Sequence, residues 1–405
     1  MRYLFVHQNF PGQFLHLVRH LTRQNAHEVV FISEPNQNAM PGVRRVSYRM
    51  NRGANPETNP VAQEFELATL RAEQVARAAR TLRGLGFTPD IIIGHHGWGE
   101  MLNLGDVFPG VPLLGYLEFF YHTDRLDVGF DPEFPNDPEM FPRVRAKNAV
   151  NLLALTNGGR GQTPTLFQRS TYPNWSHPAI SVLAEGVDLG VCAPDPEASG
   201  RDLVLGDVVV RPGEKLVSYV SRDLEPYRGF HIVMRALPRI LQARPDVRIV
   251  LVGGDGVSYG ARLAEGTWRE HMLREVGRSL DPSRVHFVGK LDYASYAELL
   301  KRSDAHVYLT YPFVASWSLR EAMASGCAIV GSDTAPVQEF ITDRKTGLLT
   351  PFHNPRKLGD AVLELLEDDK LSRRLRRAAR REAERTLAMA DYIAGYETLI
   401  RQTIG

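Results

Sequence analysis

Apolar positions along the chain fall into two alternating patterns. In the first half, Tyr3–Val6, Glu28–Ile32, Ile91–Ile93, Pro112–Tyr116 and Ile180–Leu183 are short, nearly continuous apolar runs of the buried-strand type. Between them, Phe14, Leu17, Val18 and Leu21 recur at the spacing of one helix face, and residues 62–83, rich in Ala, Leu, Arg and Glu, predict a long helix. The second half repeats the alternation. Leu216–Val220, Val247–Val252, Val285–Val288, His306–Leu309, Ala328–Val330 and Leu348–Leu349 read as strands. Helices are predicted at Phe230–Leu241, 268–280, 293–303 and 316–325, and again where Leu358, Val362, Leu365 and Leu366 form an apolar stripe. Buried strands separated by helices predict parallel sheets covered on both faces, and hence an α/β protein of two doubly wound, Rossmann-like domains facing each other across a cleft. The Pro/Gly-rich stretch Cys192–Gly200 has the composition of a linker, which puts the domains at 1–195 and 196–386. The last helix, 387–405, is apolar through Met389, Ile393, Tyr396 and Ile400 and is expected to return to the first domain.

Composition narrows the function classes without choosing one. The 405 residues carry 48 basic and 47 acidic side chains, a formal charge of +1 that gives no reason to expect a nucleic-acid binder driven by bulk charge. No run reaches the roughly 18 apolar residues of a membrane span. The opening Met1–Phe10 lacks the pattern of a signal peptide, and two cysteines, Cys192 and Cys327, form neither a zinc spacing nor a disulfide framework. A cytoplasmic location is therefore the expectation.

In open α/β sheets ligands sit beyond the carboxyl ends of the strands, so the residues just after each strand carry the candidate chemistry. After the first strand, Pro11 and Gly12 open a turn into a helix whose backbone amides suit an anion; an ordinary strand–helix turn would look the same. After the third, Gly94-His95-His96-Gly97-Trp98 offers adjacent histidines. Consecutive side chains diverge and no third ligand is near, so the reading is no metal site, but one histidine that donates a hydrogen bond to a ligand or serves the fold. The aromatic, acidic segment from Glu118 through Tyr121 to Pro135 reads as a loop, either an acceptor-side lid or a packed surface loop. In the second half, Arg222 and Arg228 flank a turn into a helix, and the planar guanidinium fork suits phosphate oxygens; surface salt bridges are the plainer alternative. Val252-Gly-Gly254-Asp-Gly256 permits close backbone approach. The segment Tyr311–Gly326 is the most informative. Ser316 is a candidate N-cap, Gly326 a helix stop, and the amides of Ser316, Trp317, Ser318 and Leu319 are placed to meet an anion. Glu321, one turn further on, suits paired hydroxyls such as those of a ribose.

Taken together these residues resemble the retaining glycosyltransferases of family 4, which have the two-domain GT-B architecture. The resemblance covers nearly the whole chain and is strongest from 214 to 352. Glu321-Ala-Met-Ala-Ser-Gly326 matches the helix that carries the second glutamate of the family's Glu-x7-Glu motif. Arg222 and Arg228 match its Arg and Lys, Glu185–Asp188 its Asn-Gly-Val-Asp, Thr346–Leu349 its Gly-Leu-Leu segment, and His96 with Trp98 its His followed by Trp. Asn9–Phe14 is similar to the opening of a bacterial subgroup. One position departs from the motif: Phe313 stands where the first glutamate, a donor-sugar contact, is expected.

The resemblance implies transfer of a sugar from a nucleoside diphosphate sugar, with UDP or GDP first and ADP as a further option, to a sugar, lipid-linked or protein acceptor. Retention at the anomeric carbon would follow a same-face mechanism in bacterial polysaccharide or glycoconjugate synthesis. Arg222, Arg228 and the amides near Ser318 and Leu319 would stabilise the departing phosphate, with Gly12 assisting. Glu321 would hold the ribose and His96 the transferred sugar. Gly254 and Phe313 fall on the donor side, and Trp98, Glu118 and Tyr121 on the acceptor side. No metal is expected, because the arginines supply its charge. Two alternatives stand beside this: a nucleotide-sugar epimerase on the same fold, and a non-catalytic nucleotide-sugar binder, which the Phe313 departure motivates. The basic helix 370–385 is a candidate contact for anionic lipid, or simply a solvated face.

Overall fold

The structure, a computed structural model, describes residues 1–124, 126–135 and 137–405. Arg125, inside the loop read at 118–135, lies outside the described residues, as does Asn136. The chain divides into two compact units, Met1–Ala184 with Ala390–Gly405, and Glu185–Met389.

The first unit is built on seven strands: β1 (Arg2–Val6), β2 (Glu28–Ser33), β3 (Val43–Ser47), β4 (Ile91–His95), β5 (Leu113–Tyr116), β6 (Arg160–Thr163) and β7 (Ile180–Val182). They form one sheet in the order β3-β2-β1-β4-β5-β6-β7, and every pairing is parallel. The order reverses between β1 and β4, so the crevice of this sheet opens at the ends of those two strands. The central strands are buried from Tyr3 to Val6 and from Ile91 to His95, as parallel strands covered on both faces must be. The helix Gln63–Gly84 covers one face through Val75, Ala76, Ala79 and Leu82, which pack with Leu4, Val6, Val30 and Ile92.

Two strands of this sheet carry no apolar run. β3, Val-Arg-Arg-Val-Ser, lies at the sheet edge and is only half-buried. β6, Arg-Gly-Gln-Thr, is polar yet buried at three of its four residues. The Gln162 amide replaces apolar packing there: it donates to the Leu183 carbonyl at 3.0 Å and accepts from the Tyr396 hydroxyl at 3.2 Å. The final helix, Met389–Ile404, thereby joins this unit, with Gly395 close against Leu183 and Glu397 2.9 Å from His20.

In the second unit the stretch after Cys192 contains a hairpin of β8 (Leu203–Leu205) and β9 (Val208–Val210), turning at Gly206 with φ +61°. Its apolar side packs with Leu216, Val250 and Leu299, so the stretch just after the linker has a buried face. The main sheet contains β10 (Lys215–Asp223), β11 (Val247–Gly254), β12 (Val285–Gly289), β13 (Ala305–Tyr308), β14 (Ile329–Ser332) and β15 (Leu348–Thr350), all parallel, in the order β12-β11-β10-β13-β14-β15. Its reversal falls between β10 and β13. No helix among the described residues is long and apolar enough to cross a membrane.

Candidate active site

In the second unit, β10 ends at Asp223 and a short turn, Pro226–Arg228, leads to the helix Phe230–Ala243. Gly229 makes that turn in the left-handed region, φ +69°, against Leu309 at the end of β13. Arg228 is thus set at the reversal point of the sheet. It is 6 % exposed, and Nη1 donates to Thr310 Oγ1 and to the Val314 carbonyl, each at 2.8 Å. Its guanidinium lies 4.9 Å from the centroid of the Tyr259 ring. Arg228 forms no salt bridge among the described residues. Arg222 is exposed and lies 5.9 Å from the same ring.

Gly254 ends β11, where a Cβ would meet Asp223 Oδ1 and Lys290 Cε, each at 2.6 Å; close approach is what this glycine provides. Phe313 is 3 % exposed and sits in an aromatic group with Tyr227 and Tyr259, so its ring is no open wall.

The helix Trp317–Ala324 starts as expected at Ser316, but the cap differs. The Ser316 hydroxyl bonds to the Ser318 hydroxyl at 2.6 Å instead of to a backbone amide. The Ser316 amide donates to Tyr308 Oη at 2.7 Å and the Leu319 amide to the Ser316 carbonyl at 3.3 Å, so two of the four amides expected to meet an anion already have partners. The Leu319 side chain is wholly buried, whereas Trp317 is exposed. The helix ends at Gly326, φ +69°, where the Gly326 and Cys327 amides return to the Met323 and Ala322 carbonyls.

Glu321 is half-buried, and its carboxylate accepts from two tyrosine hydroxyls of the neighbouring helix, Tyr293 at 2.9 Å and Tyr296 at 2.8 Å. The adjacent Arg320 turns inward to a buried ion pair with Glu185 at 2.9 Å. In the basic helix, Asp369–Thr386, Arg376 and Arg380 donate to backbone carbonyls of Ser303, Asp304, Cys192 and Ala324. Lys370, Arg373, Arg374, Arg377, Arg381 and Arg385 remain exposed.

In the first unit, the ends of β1, β4 and β5 bring together His7, His95 and Glu118. The rings of His7 and His95 meet edge-to-face at 5.2 Å, and His95 Nε2 is 3.6 Å from the Glu118 carboxylate. His95 Nδ1 accepts from the Gly97 amide at 3.0 Å, which in the neutral ring puts the proton on Nε2, facing Glu118. His7 Nδ1 likewise accepts from the Asn9 amide at 2.8 Å. Burial, then the neighbouring His95, lowers the His7 pKa to about 3.

His96, the sequence candidate, points elsewhere. Its ring fills the space left by Gly115 of β5, where a Cβ would lie 2.1 Å from Cδ2. Burial, then His95, lowers its pKa to about 3. The histidine beside Glu118 is therefore His95, which β4 presents on the same side as Ile91 and Ile93; strand alternation was the available signal. Trp98 stacks on His95 with centroids 6.4 Å apart, and Gly12, φ +54°, allows the His7 ring to approach where a Cβ would be 2.9 Å away. Tyr121 is fixed by Asn148, which accepts from its amide and donates to its carbonyl, and Lys147 Nζ lies 4.0 Å from its ring centroid. Spacing gave no sign of Glu225, Tyr259, Tyr293 or Tyr296.

Comparison with known proteins agrees with this architecture. Residues 25–192 match the family described as glycosyl transferase family 4 group, and residues 207–382 that described as glycosyl transferases group 1. The phosphatidyl-myo-inositol mannosyltransferase of Mycolicibacterium smegmatis is 32% identical over 43% of this chain and 42% of its own length. The D-inositol 3-phosphate glycosyltransferase of Corynebacterium glutamicum is 29% identical over 56% and 52%. The matched stretch thus spans about half the length of these curated relatives. Among solved structures, Anabaena HepE in complex with UDP and glucose superposes with a TM-score of 0.71 at 17% identity, covering 99% of this chain and 100% of that one. Sucrose-phosphate synthase from Thermosynechococcus elongatus gives 0.73 at 18% identity, covering 99% and 98%. Sheet order, strand direction and these matches agree: the chain carries the two domains of a GT-B glycosyltransferase, a family 4 group domain followed by a group 1 domain.

Proposed function

We propose that the protein transfers a sugar from a nucleoside diphosphate sugar to an acceptor hydroxyl with retention at the anomeric carbon, in bacterial polysaccharide or glycoconjugate synthesis. The observation that carries this reading is Arg228. A cation 6 % exposed, with no ion pair among the described residues, is held at the reversal point of a parallel sheet. Burying a charge is costly; the buried carboxylate of Glu225 offsets it electrostatically without a direct salt bridge, and an incoming diphosphate would supply the direct partner.

In the same-face mechanism the leaving diphosphate helps to take the acceptor proton, and the protein stabilises the charge that builds on it. Arg228, with Nη1 committed inside the protein, would meet phosphate with the remaining edge of its fork, and exposed Arg222 would add a second donor. Ser318 and the Leu319 backbone lie at the start of the adjacent helix, whose dipole favours the same charge. Glu321 would receive the ribose hydroxyls by sharing or displacing the hydroxyls of Tyr293 and Tyr296. In the first unit His95, itself 1 % exposed, would act through Glu118, which its Nε2 proton faces and which is the more open of the two, and is better placed for this than His96. Gly12, Trp98 and Tyr121 would line that side. UDP is the first nucleotide to test, because the HepE complex contains it. A lipid-linked acceptor would agree with the exposed arginines of the helix Asp369–Thr386; co-sedimentation with anionic liposomes that persists at high salt in an Arg373, Arg377 and Arg381 triple-Ala variant would rule that contact out.

The direct test is release of nucleoside diphosphate from a donor panel. Arg228→Ala and Arg222→Ala should each lower kcat/KM at least about 10-fold, by analogy with loss of one oxyanion donor, and Arg228→Ala the more. Unchanged turnover in Arg228→Ala would overturn the phosphate assignment.

A further inference from the structure

Phe313 removes the carboxylate that the Glu-x7-Glu pattern places at this position, and the structure shows what stands there instead. At 3 % exposure its ring is not available to a ligand. It packs 5.1 Å from Tyr259 and edge-on to Tyr227 at 5.6 Å, while Tyr227 lies 4.6 Å from Tyr311 and 6.1 Å from Tyr259. The other face of the matter is Tyr259 itself. Both arginines assigned to phosphate converge on its ring, Arg228 at 4.9 Å and Arg222 at 5.9 Å from the centroid. An aromatic face attracts a cation through its quadrupole, and more strongly where water is excluded, as it is around buried Arg228.

Tyr259 lies on the glycine-rich loop after β11, a segment with no regular structure to fix a ring in place. A buried carboxylate does so. Glu225, 0 % exposed, accepts the amides of Ser258 at 3.1 Å, Tyr259 at 3.2 Å and Gly260 at 2.8 Å. Ser258 is also tied to Asp223 through its hydroxyl. Gly260 suits the same contact, since a Cβ there would crowd Glu225 Oε2 at 3.2 Å. The loop is therefore anchored by residues that immediately precede Arg228 in the chain.

We propose that Tyr259 is a positioning residue of the donor site, holding Arg228 and Arg222 against its ring in the orientation that receives a diphosphate, and that Phe313 buttresses this ring instead of contacting the donor sugar. The proposal rests on the reading of Arg228 and Arg222 as phosphate ligands. It makes the loss of the glutamate an exchange: a hydrogen-bonding contact to the sugar is replaced by an aromatic support for the cations that bind the phosphates.

The experiment compares wild type, Tyr259→Phe, Tyr259→Leu and Phe313→Glu by calorimetric binding of UDP, GDP and the corresponding nucleosides, with melting temperature as a control on folding. Wild type that binds neither diphosphate nor turns over any donor would sink the phosphate reading itself. Given wild-type binding, Tyr259→Leu should weaken the diphosphate at least about 10-fold while leaving the nucleoside within about 2-fold, because the ring acts on the phosphate ligands alone. Tyr259→Phe keeps the aromatic face but loses the hydroxyl that hydrogen-bonds to Arg228, so its diphosphate affinity should fall between Tyr259→Leu and wild type. Phe313→Glu should lower diphosphate affinity and turnover together. Diphosphate affinity unchanged in Tyr259→Leu, equal losses of diphosphate and nucleoside, a Tyr259→Phe affinity no better than that of Tyr259→Leu, or raised turnover in Phe313→Glu would each overturn the proposal.

Discussion

At the residue scale, buried polar groups outside the donor site make the sharpest predictions. Arg320 and Glu185 pair at 2.9 Å with side chains 1 % and 8 % exposed. Removing one partner strands the other charge, so Glu185→Ala should cost about 3–5 kcal/mol in denaturant unfolding, against well under 1 kcal/mol for an exposed pair. Three histidines, His7, His96 and His306, are buried in their neutral form, with pKa lowered mainly by burial to about 3, 3 and 4 from 6.5. Their folded pKa lies below the unfolded one, so the unfolded chain binds more protons in that window. Stability should be full above about pH 6.5 and fall as pH drops toward 4, by up to about 1.4 kcal/mol per pH unit for each histidine. Urea midpoints that coincide at about pH 7.5 and about pH 5 would contradict this. At this scale Arg228 and Glu321 could be picked from the sequence because their residue types suit phosphate and paired hydroxyls, and the structure places Arg228 at the sheet reversal and gives Glu321 two tyrosine hydroxyls as partners. The sequence misled at His96, because two adjacent histidines differ only in which strand face they take. It was silent on Tyr259 and Glu225, because a loop has no periodicity from which a ring's direction follows.

At the scale of elements, apolar periodicity located most of the buried strands and the longer helices, since both are recognised by the faces they bury, but not the short helices Met140–Lys147, Ala149–Thr156 and Leu166–Thr171 of the first unit. The exceptions among the strands have physical causes. β3 lies on an edge with one covered face, and β6 is buried through the Gln162 hydrogen bonds in place of apolar side chains. The hairpin β8–β9 was hidden because its turn and the stretch before it share the composition of a linker. Helix termini carry a prediction of their own. Gly229 begins the helix Phe230–Ala243 at φ +69°, where a Cβ would lie 2.5 Å from Leu309 Cβ. Gly229→Ala combines left-handed strain with a steric clash and should destabilise the second unit by about 1–3 kcal/mol. Because Arg228 is its chain neighbour, donor turnover measured well below the melting temperature should fall too.

At the scale of the whole molecule, a chain with a near-zero formal charge of +1 contains a buried cation at one sheet reversal and an exposed arginine row on one helix, neither of which the average reveals. A ligand that binds the folded state at about 100 times its Kd should add about 2.7 kcal/mol, so UDP or GDP should raise the melting temperature; a tenfold weaker affinity in Arg228→Ala should cut that gain to about 1.4 kcal/mol and lower the rise accordingly. The path of the chain has a consequence for synthesis. The first unit is closed by Ala390–Gly405, after the whole of Glu185–Met389 has intervened, and the outgoing and returning segments bond to each other at Val187 and Leu387, 2.8 Å. On the ribosome the N-terminal sheet therefore waits, with Leu183 and Gln162 uncovered, until the last turns emerge, while the inserted unit has all its residues beforehand. Vectorial translation should yield the later-coded unit in protease-resistant form first, an inversion of the usual N-to-C order. Released chains ending at Met389 should show a protected second unit and a cleavable first one.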